Sequence, residues 1–167
     1  MAKGVIDESK KILLTKELIR EEHVKQGKKN KRSGGEFEMK VRRELEADGW
    51  IVSKWQNNIE IEGSNDGVTW QPVKKEKFIF YRGVKLIPAK HAFNPFRRAV
   101  TLGTGFPDFV CFQYAGEDDW RIKLVESKVK GYLDAEERAK VEWIKENIKI
   151  PVFVAKKTEG GIDYEEK

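Results

Sequence analysis

Two carboxylates and an amine stand at matching ends of two predicted strands. Pro107-Asp108 precedes an apolar run from Phe109 to Tyr114, and Glu126-Ser127-Lys128 closes a second run that begins at Trp120. Both runs are rich in aromatic and β-branched residues, and the segment Ala115 to Asp119 between them is typical of a turn. We therefore predict a β-hairpin with its acidic and basic residues at the end away from the turn.

The register of this hairpin decides whether the polar groups meet. Side chains alternate with period two along a strand, so a hairpin centred on Glu117 places four cross-strand pairs on one face. These pairs are Tyr114 with Trp120, Phe112 with Ile122, Val110 with Leu124, and Asp108 with Glu126. Lys128 joins the same face if its strand continues. Opposed residues have Cβ atoms roughly 4.5–5.5 Å apart, where two carboxylates repel each other unless a cation lies between them.

This combination of groups predicts a metal-assisted reaction. Carboxylate oxygens select a hard divalent ion such as Mg²⁺ or Mn²⁺, which retains water and accepts phosphate oxygens. The Lys128 ammonium could hold an attacking water or neutralise charge on a phosphate, and its neutral amine form could deprotonate that water. Each residue taken singly is also typical of a solvated strand end, so the prediction of phosphodiester hydrolysis depends on the whole set.

The segments Gly105-Phe106-Pro107-Asp108 and Glu126-Ser127-Lys128 resemble the motif of the PD-(D/E)XK nuclease superfamily. The upstream stretch from Gly34 to Gly49-Trp50 is similar to the first helix of archaeal Holliday-junction resolvases and VRR-type nucleases, which carries a metal-associated glutamate. The spacing before Gly49 favours Glu38 for this role and leaves Glu36 as the alternative. Downstream, Tyr132-Leu133-Asp134-Ala135-Glu136-Glu137 and then Val152-Phe153-Val154 resemble the helix and strand that follow the motif in both families.

The resemblance implies an α/β fold with a restriction-endonuclease-like mixed β-sheet flanked by helices. It implies a Mg²⁺- or Mn²⁺-dependent DNA endonuclease, which we expect to select its substrate by DNA structure. The catalytic residues would be Glu38, Asp108, Glu126 and Lys128, and the metal ligands Asp108, Glu126, the Ser127 carbonyl and Glu38. This chain departs from the families in two ways. Residues 57–100 form an unmatched, β-rich insertion, and Glu137 stands where VRR-type enzymes usually have glutamine. Because Asp134 and Glu137 have capping-box spacing, we favour a structural role for Glu137.

The charge distribution predicts a nucleic-acid partner. The net charge is +5, and the cations are clustered. Two of the clusters flank the candidate site residues, so we expect them to contact the DNA phosphates, although such clusters are also typical of solvated faces. The predicted DNA-binding residues are Lys28, Lys29, Lys31, Arg32, Arg97, Arg98 and Lys130.

Length and composition favour a single domain over residues 1–167, and the resemblance implies that it is a nuclease domain. Within it we predict an N-terminal helix to about Gln26 with a basic connector (together residues 1–35), the insertion at 57–100, and a frayed tail at 158–167. In the insertion, turn signals predict two hairpins, one around Ser64 to Gly67 and one around Arg82-Gly83. Cys111 is the single cysteine, so it cannot form an intramolecular disulfide and is expected to pack on the face opposite Asp108.

The single cysteine fits a reducing compartment, and no apolar run is long enough to cross a membrane. We therefore expect an intracellular, cytoplasmic protein with DNA and no membrane as its partner. The sequence leaves open whether the protein is a monomer or a homodimer. Two other functions also remain open: a catalytically silent nuclease fold that only binds nucleic acid, and a metal-independent RNA endonuclease with His23 or His91 as its base.

Overall fold

The computed structural model of the protein describes residues 8–64, 80–89, 92–94, 99–101 and 105–167. The chain comprises two compact units that divide after Glu36. The helices are α1 (Glu8–Ala47) and α2 (Ala135–Asn147). The strands are β1 (Ile51–Lys54), β2 (Asn57–Ser64), β3 (Phe80–Pro88), β4 (Ala92–Asn94), β5 (Ala99–Thr101), β6 (Phe109–Gly116), β7 (Asp119–Ser127), β8 (Val152–Lys157) and β9 (Ile162–Glu166). Neither of the helices in these ranges is long and apolar enough to span a bilayer. The predicted single domain stays a prediction.

A mixed five-stranded sheet of order β1-β6-β7-β8-β9 organises the second unit. Only the β7–β8 pair is parallel, and α2 connects these two strands, as predicted. The class is therefore α/β with a mixed sheet, which confirms the coarse prediction of fold class. The described parts of the insertion are β-rich, as predicted, and form two further two-stranded sheets, β2–β3 and β4–β5.

The two faces of the sheet bury separate cores. On one face, Val110 and Leu124 pack with Val141 and Ile144 of α2 and with Ile59 of β2. On the other face, a second cluster contains Phe37, Val41 and Leu45 of α1 together with Val52, Phe109, Cys111 and Val125. Cys111 is buried in this second core, which confirms its predicted packing role. Burial also raises the pKa of its thiol to about 11, which disfavours the reactive thiolate.

The predicted connector at 27–35 is wrong, because α1 is continuous through it. Gly27, Gly34 and Gly35 each weaken a helix by about 1 kcal/mol relative to alanine, and this cost suggested a break. The lysine and arginine residues between these glycines are good helix formers. Side-chain hydrogen bonds one turn apart, from Gln26 to Asn30 and from Arg32 to Glu36, both at 2.8 Å, add support.

The predicted frayed tail is also wrong, because β9 pairs with β8 at the edge of the sheet. Ile162 and Tyr164 alternate toward the second core and pack against it. Lys156 Nζ lies 3.0 Å from Asp163 Oδ2, so an ion pair also joins the two strands. Period-two packing therefore holds a segment whose terminal position suggested fraying.

The predicted turn at Arg82-Gly83 does not form, because β3 runs through it and pairs with β2. A Cβ atom at Gly83 would lie 2.6 Å from Cβ of Trp143 in α2. The glycine therefore permits the close approach of Trp143, whose Nε1 donates a hydrogen bond to the Val84 carbonyl at 3.0 Å. The other predicted hairpin needs Val68 to Gln71, which lie outside the described residues.

Candidate metal and phosphodiesterase site

The β6–β7 hairpin has the predicted register. Val110 pairs with Leu124, Phe112 with Ile122, and Tyr114 with Trp120. The turn is tighter than expected, with Glu117 and Asp118 at its tip at φ 52° and 64°. This register places Asp108, which directly precedes β6, beside Glu126 near the end of β7.

Asp108 and Glu126 are joined by reciprocal contacts with the backbone. The Asp108 amide donates a hydrogen bond to Glu126 Oε2 at 3.0 Å, and the Ser127 amide donates one to Asp108 Oδ2 at 2.9 Å. The two carboxylates are therefore held at the same end of the hairpin. The prediction that Ser127 also offers its carbonyl to a metal stays a prediction.

The segment before Asp108 is held by the start of the insertion. The Phe106 amide donates to the Asn57 carbonyl at 2.9 Å, and the Trp55 amide donates to the Asp108 carbonyl at 3.0 Å. A Cβ atom at Gly105 would lie 2.2 Å from the Trp55 carbonyl oxygen, so only glycine permits this close approach. Gly105 thus contributes to the position of Asp108.

Each carboxylate turns its other oxygen toward a lysine. Lys128 Nζ lies 3.1 Å from Glu126 Oε1, as its predicted place on this face requires. Lys54 Nζ lies 3.8 Å from Asp108 Oδ1 and also contacts Glu38 Oε1. Lys54 was missed by sequence reasoning. Its place beside Asp108 follows from the pairing of Lys54 with Phe109, which no local sequence signal specifies.

Glu38, the predicted third acidic residue, reaches the site from α1 through Lys54. The alternative residue, Glu36, instead pairs with Arg32 at 2.8 Å. Glu38 is also close enough to Asp108 for its charge to act on that carboxyl group. The geometry therefore favours Glu38 over Glu36 as the acidic residue associated with this site.

Glu137 has two roles, of which the sequence predicted one. It forms the capping box of α2, in which Glu137 Oε2 accepts from the Asp134 amide at 3.0 Å and Asp134 Oδ1 accepts from the Glu137 amide at 2.9 Å. Its other carboxylate oxygen contacts Lys128 Nζ. The same residue thus fixes the start of α2 and the ammonium of the site.

Burial perturbs the protonation of the acidic pair. Burial, and after it the charge of Asp108, raises the pKa of Glu126 to about 8. Burial is also the main reason why the pKa of Asp108 is raised. For Lys128, burial acts to lower the pKa, but the contacts with Glu137 and Glu126 outweigh it and the pKa is raised. In the absence of a further cation, the site therefore favours a protonated Glu126 beside a charged Lys128.

The donor set fits a hard divalent cation. Four carboxyl groups, those of Glu38, Asp108, Glu126 and Glu137, meet only two ammonium groups, those of Lys54 and Lys128. Across residues 8–64, 80–89, 92–94, 99–101 and 105–167, no three His, Cys, Asp or Glu side chains are already arranged around a common metal position. Such an excess of carboxyl groups, one buried and three half-buried, is nevertheless what a divalent ion offsets, since oxygen ligands suit Mg²⁺ and Mn²⁺.

The predicted DNA-binding residues lie in several places. Lys28, Lys29, Lys31 and Arg32 are exposed on α1, and 3.6 residues per turn place them within one half of its circumference. Lys130 is exposed in the turn that follows Lys128. Arg97, Arg98 and His91 lie outside the described residues.

No family model, curated protein or solved structure matches this chain. The resemblance to the PD-(D/E)XK superfamily therefore stays a prediction from the motif residues.

Proposed function

We propose that this protein is a Mg²⁺- or Mn²⁺-dependent DNA endonuclease that hydrolyses phosphodiester bonds and selects its substrate by DNA structure. The observation that carries the proposal is the buried pair of Asp108 and Glu126, fixed by reciprocal hydrogen bonds, with Lys128 Nζ 3.1 Å from Glu126 Oε1. An apolar hairpin that ends in two adjacent carboxylates and an amine has no evident structural purpose, because the arrangement raises the free energy of the fold.

In this proposal Asp108 and Glu126 hold the metal ion, and Glu38 contributes from α1. A bound divalent ion supplies Lewis acidity toward a phosphate oxygen and lowers the pKa of a bound water. Deprotonation of Glu126 is required for it to act as a ligand. The raised pKa of Glu126 therefore makes metal affinity increase as the pH rises toward 8.

Lys128 acts as a positioned ammonium. Its raised pKa keeps it protonated near neutral pH, so it donates hydrogen bonds and does not abstract a proton. Glu137 holds Nζ from the α2 side while Glu126 holds it from the sheet. An ammonium fixed in this way can orient the attacking water or offset charge that develops on the phosphate.

The exposed cations hold the substrate. Lys130 is exposed in the turn that follows Lys128, and in this proposal it contacts a phosphate next to the one that reacts. The cationic half of α1, formed by Lys28, Lys29, Lys31 and Arg32, supplies further contacts that do not depend on sequence.

A cleavage assay with the Asp108→Asn variant tests this function. The substrates are duplex DNA, a flap, a splayed arm, a four-way junction and single-stranded DNA, each with Mg²⁺, with Mn²⁺ and with EDTA. We expect the wild type to cut only with metal, and Asp108→Asn to lose cleavage while it retains DNA binding. Asp119→Asn, an exposed change of the same kind at the turn end of the hairpin, is the matched control.

The assay also separates the competing functions. Equal cleavage by the wild type and Asp108→Asn would exclude this active site. Binding of DNA by the wild type without cleavage in either metal would indicate a silent binding module. An RNA strand is included as a further substrate, and its cleavage in EDTA would indicate the metal-independent alternative.

A further inference from the structure

A pocket of about 370 Å³ lies beside the candidate site, between the segment that follows Lys128 and one side of α2. This volume is at the lower end of the roughly 300–1,000 Å³ typical of ligand pockets. Its lining includes Tyr132, Leu133, Arg138, Val141, Lys145 and Lys167. We call it the Tyr132 pocket.

The Tyr132 pocket combines an aromatic ring with cations. Tyr132 is 80% exposed, which is unusual for so large an aromatic side chain, whereas Leu133 and Val141 of the same lining are buried. Arg138, Lys145 and Lys167 outnumber the single acidic residue of the lining, Glu142. The pocket therefore has the chemistry to hold a flat, apolar ring system that carries negative charge.

The three cations of the pocket differ in the hydrogen bonds and ion pairs that they already form within the protein. Arg138 donates one Nη1 hydrogen bond to the Leu133 carbonyl at 2.8 Å, which uses one of the donors of its guanidinium group. Lys167 pairs with Glu165. Lys145 is exposed and has no ion-pair partner within the part of the chain that the structure describes. Lys145 is thus the cation most available to an anionic ligand.

The position of this pocket links it to the site. The Gly131 amide donates to the Lys128 carbonyl at 2.8 Å, so residues 128–131 form a turn and Tyr132 follows it directly. The ends of such a turn lie less than about 7 Å apart. On the other side, Arg138 follows Glu137, whose carboxylate contacts Lys128 Nζ. A chain bound at Lys128 therefore reaches the pocket within one or two nucleotides.

We propose that the Tyr132 pocket binds an unpaired nucleotide of the substrate strand, next to the phosphate at Lys128. The base stacks on the Tyr132 ring, and Arg138 and Lys145 hold the adjoining phosphate. This inference rests on the proposed nuclease function and specifies its substrate: DNA with an unpaired strand beside the scissile bond. Bases within a duplex are already stacked and offer only their edges, so a fully paired strand cannot use the ring.

Binding measurements in EDTA test the pocket without dependence on cleavage. Fluorescence anisotropy is recorded with a labelled single-stranded oligonucleotide and with its duplex, for the wild type, Tyr132→Ala and Tyr132→Phe. We expect Tyr132→Ala to weaken single-strand binding by roughly five- to a hundredfold, the effect of removing one stacked base, and to leave duplex binding nearly unchanged. Tyr132→Phe retains the ring and should bind like the wild type.

Two further variants complete the test. Lys145→Ala should reduce the slope of log K against log salt on single strands by about 0.7, the value for one phosphate contact. Tyr114→Ala removes an exposed ring at the turn end of the hairpin and should change neither affinity. Three outcomes would contradict the proposed role of the Tyr132 pocket. They are equally weakened binding of single strands and duplex, loss of binding in Tyr132→Phe, and no single-strand binding by the wild type. Because these readings need no metal, they are independent of the Asp108→Asn cleavage result, which tests the nuclease function itself.

Discussion

The two ends of the β6–β7 hairpin share one strand register but differ in the type and burial of their cross-strand pairs. At the turn end, Tyr114 and Trp120 form a tilted ring pair with centroids 5.4 Å apart, and both side chains are about half exposed. At the opposite end, Asp108 and Glu126 occupy equivalent positions but are mostly buried. Apolar groups are therefore left in water while carboxylates are withdrawn from it, which is the reverse of what stability alone favours.

The difference between these ends lies in their surroundings. The ring pair stands at an exposed tip, where few other groups depend on it. The carboxylates contact Lys54, Lys128 and backbone amides. These specific interactions offset the free-energy cost of burying the carboxylates. The exposed end is explained by local hairpin formation, whereas the buried end is where we propose the metal site.

The largest expected effect compares two apolar positions on β7. Leu124 is fully buried, whereas Trp120 is 49% exposed. We expect Leu124→Ala to lower the free energy of unfolding by about 2–5 kcal/mol. Trp120→Ala should cost only about 1 kcal/mol, the contribution of an exposed ring pair. Urea denaturation measures both, and equal effects would show that the tip matters as much as the core.

The next effect compares two cations on the same hairpin. Lys128→Ala removes the ammonium between Glu126 and Glu137 and should lower the single-turnover cleavage rate by roughly 10²–10³-fold, as for other preorganised donors. Arg121→Ala removes an exposed cation near the turn and should leave the rate unchanged. Similar rates for both variants would remove Lys128 from the mechanism.

A smaller effect follows from protonation. The pKa of Glu126 is raised from 4.5 to about 8, so between these values the folded protein binds a proton that the unfolded chain releases. The stability of the metal-free protein should therefore fall as the pH rises through this window, by at most about 1.4 kcal/mol per pH unit. The glutamine of Glu126→Gln does not titrate, so the stability of this variant should lack this dependence on pH. A wild type that instead gains stability relative to Glu126→Gln between pH 5 and pH 8 would contradict the raised pKa.

The smallest effect concerns α1, which serves as a third region for comparison. Replacing Lys28, Lys29, Lys31 and Arg32 together by alanine should weaken duplex binding for every sequence alike. The slope of log K against log salt should become shallower by about 0.9 for each DNA phosphate that the variant no longer neutralises. A variant that exchanges lysine and arginine at these four positions keeps the charge and should keep the slope. An unchanged slope in the alanine variant would identify this surface as merely solvated.

Local patterns predicted the parts of the molecule that depend on local physics. The hairpin register followed from alternation on either side of a turn, and the start of α2 followed from the spacing of Asp134 and Glu137. Glycine residues led to two wrong predictions, a connector within α1 and a turn within β3. In α1 the good helix formers around Gly27 and Gly34 outweigh the cost of these glycines, and Gly83 makes room for Trp143 of α2.

The rest of the candidate site depends on contacts between distant segments. Lys54 meets Asp108 only because β1 pairs with β6, and no local signal specifies that pairing. Likewise, the contact of Glu137 with Lys128 requires the turn at 128–131 to bring α2 back beside β7. The acidic pair was predictable from one hairpin, whereas the lysines that contact it, and the glutamates that contact those lysines, were predictable only in part.

The central claim is that Asp108 and Glu126 together form one divalent metal site, and thermal unfolding with Mn²⁺ tests it most directly. The wild type should gain about 2.7 kcal/mol at a metal concentration 100 times Kd, seen as a clear rise in Tm. The Asp108→Ala, Glu126→Ala double variant should show no rise. An Asp119→Ala, Glu146→Ala variant, which removes the same charge from exposed positions, should respond like the wild type. A Tm rise in the Asp108, Glu126 double variant equal to that of the wild type, or none in the wild type, would contradict the account.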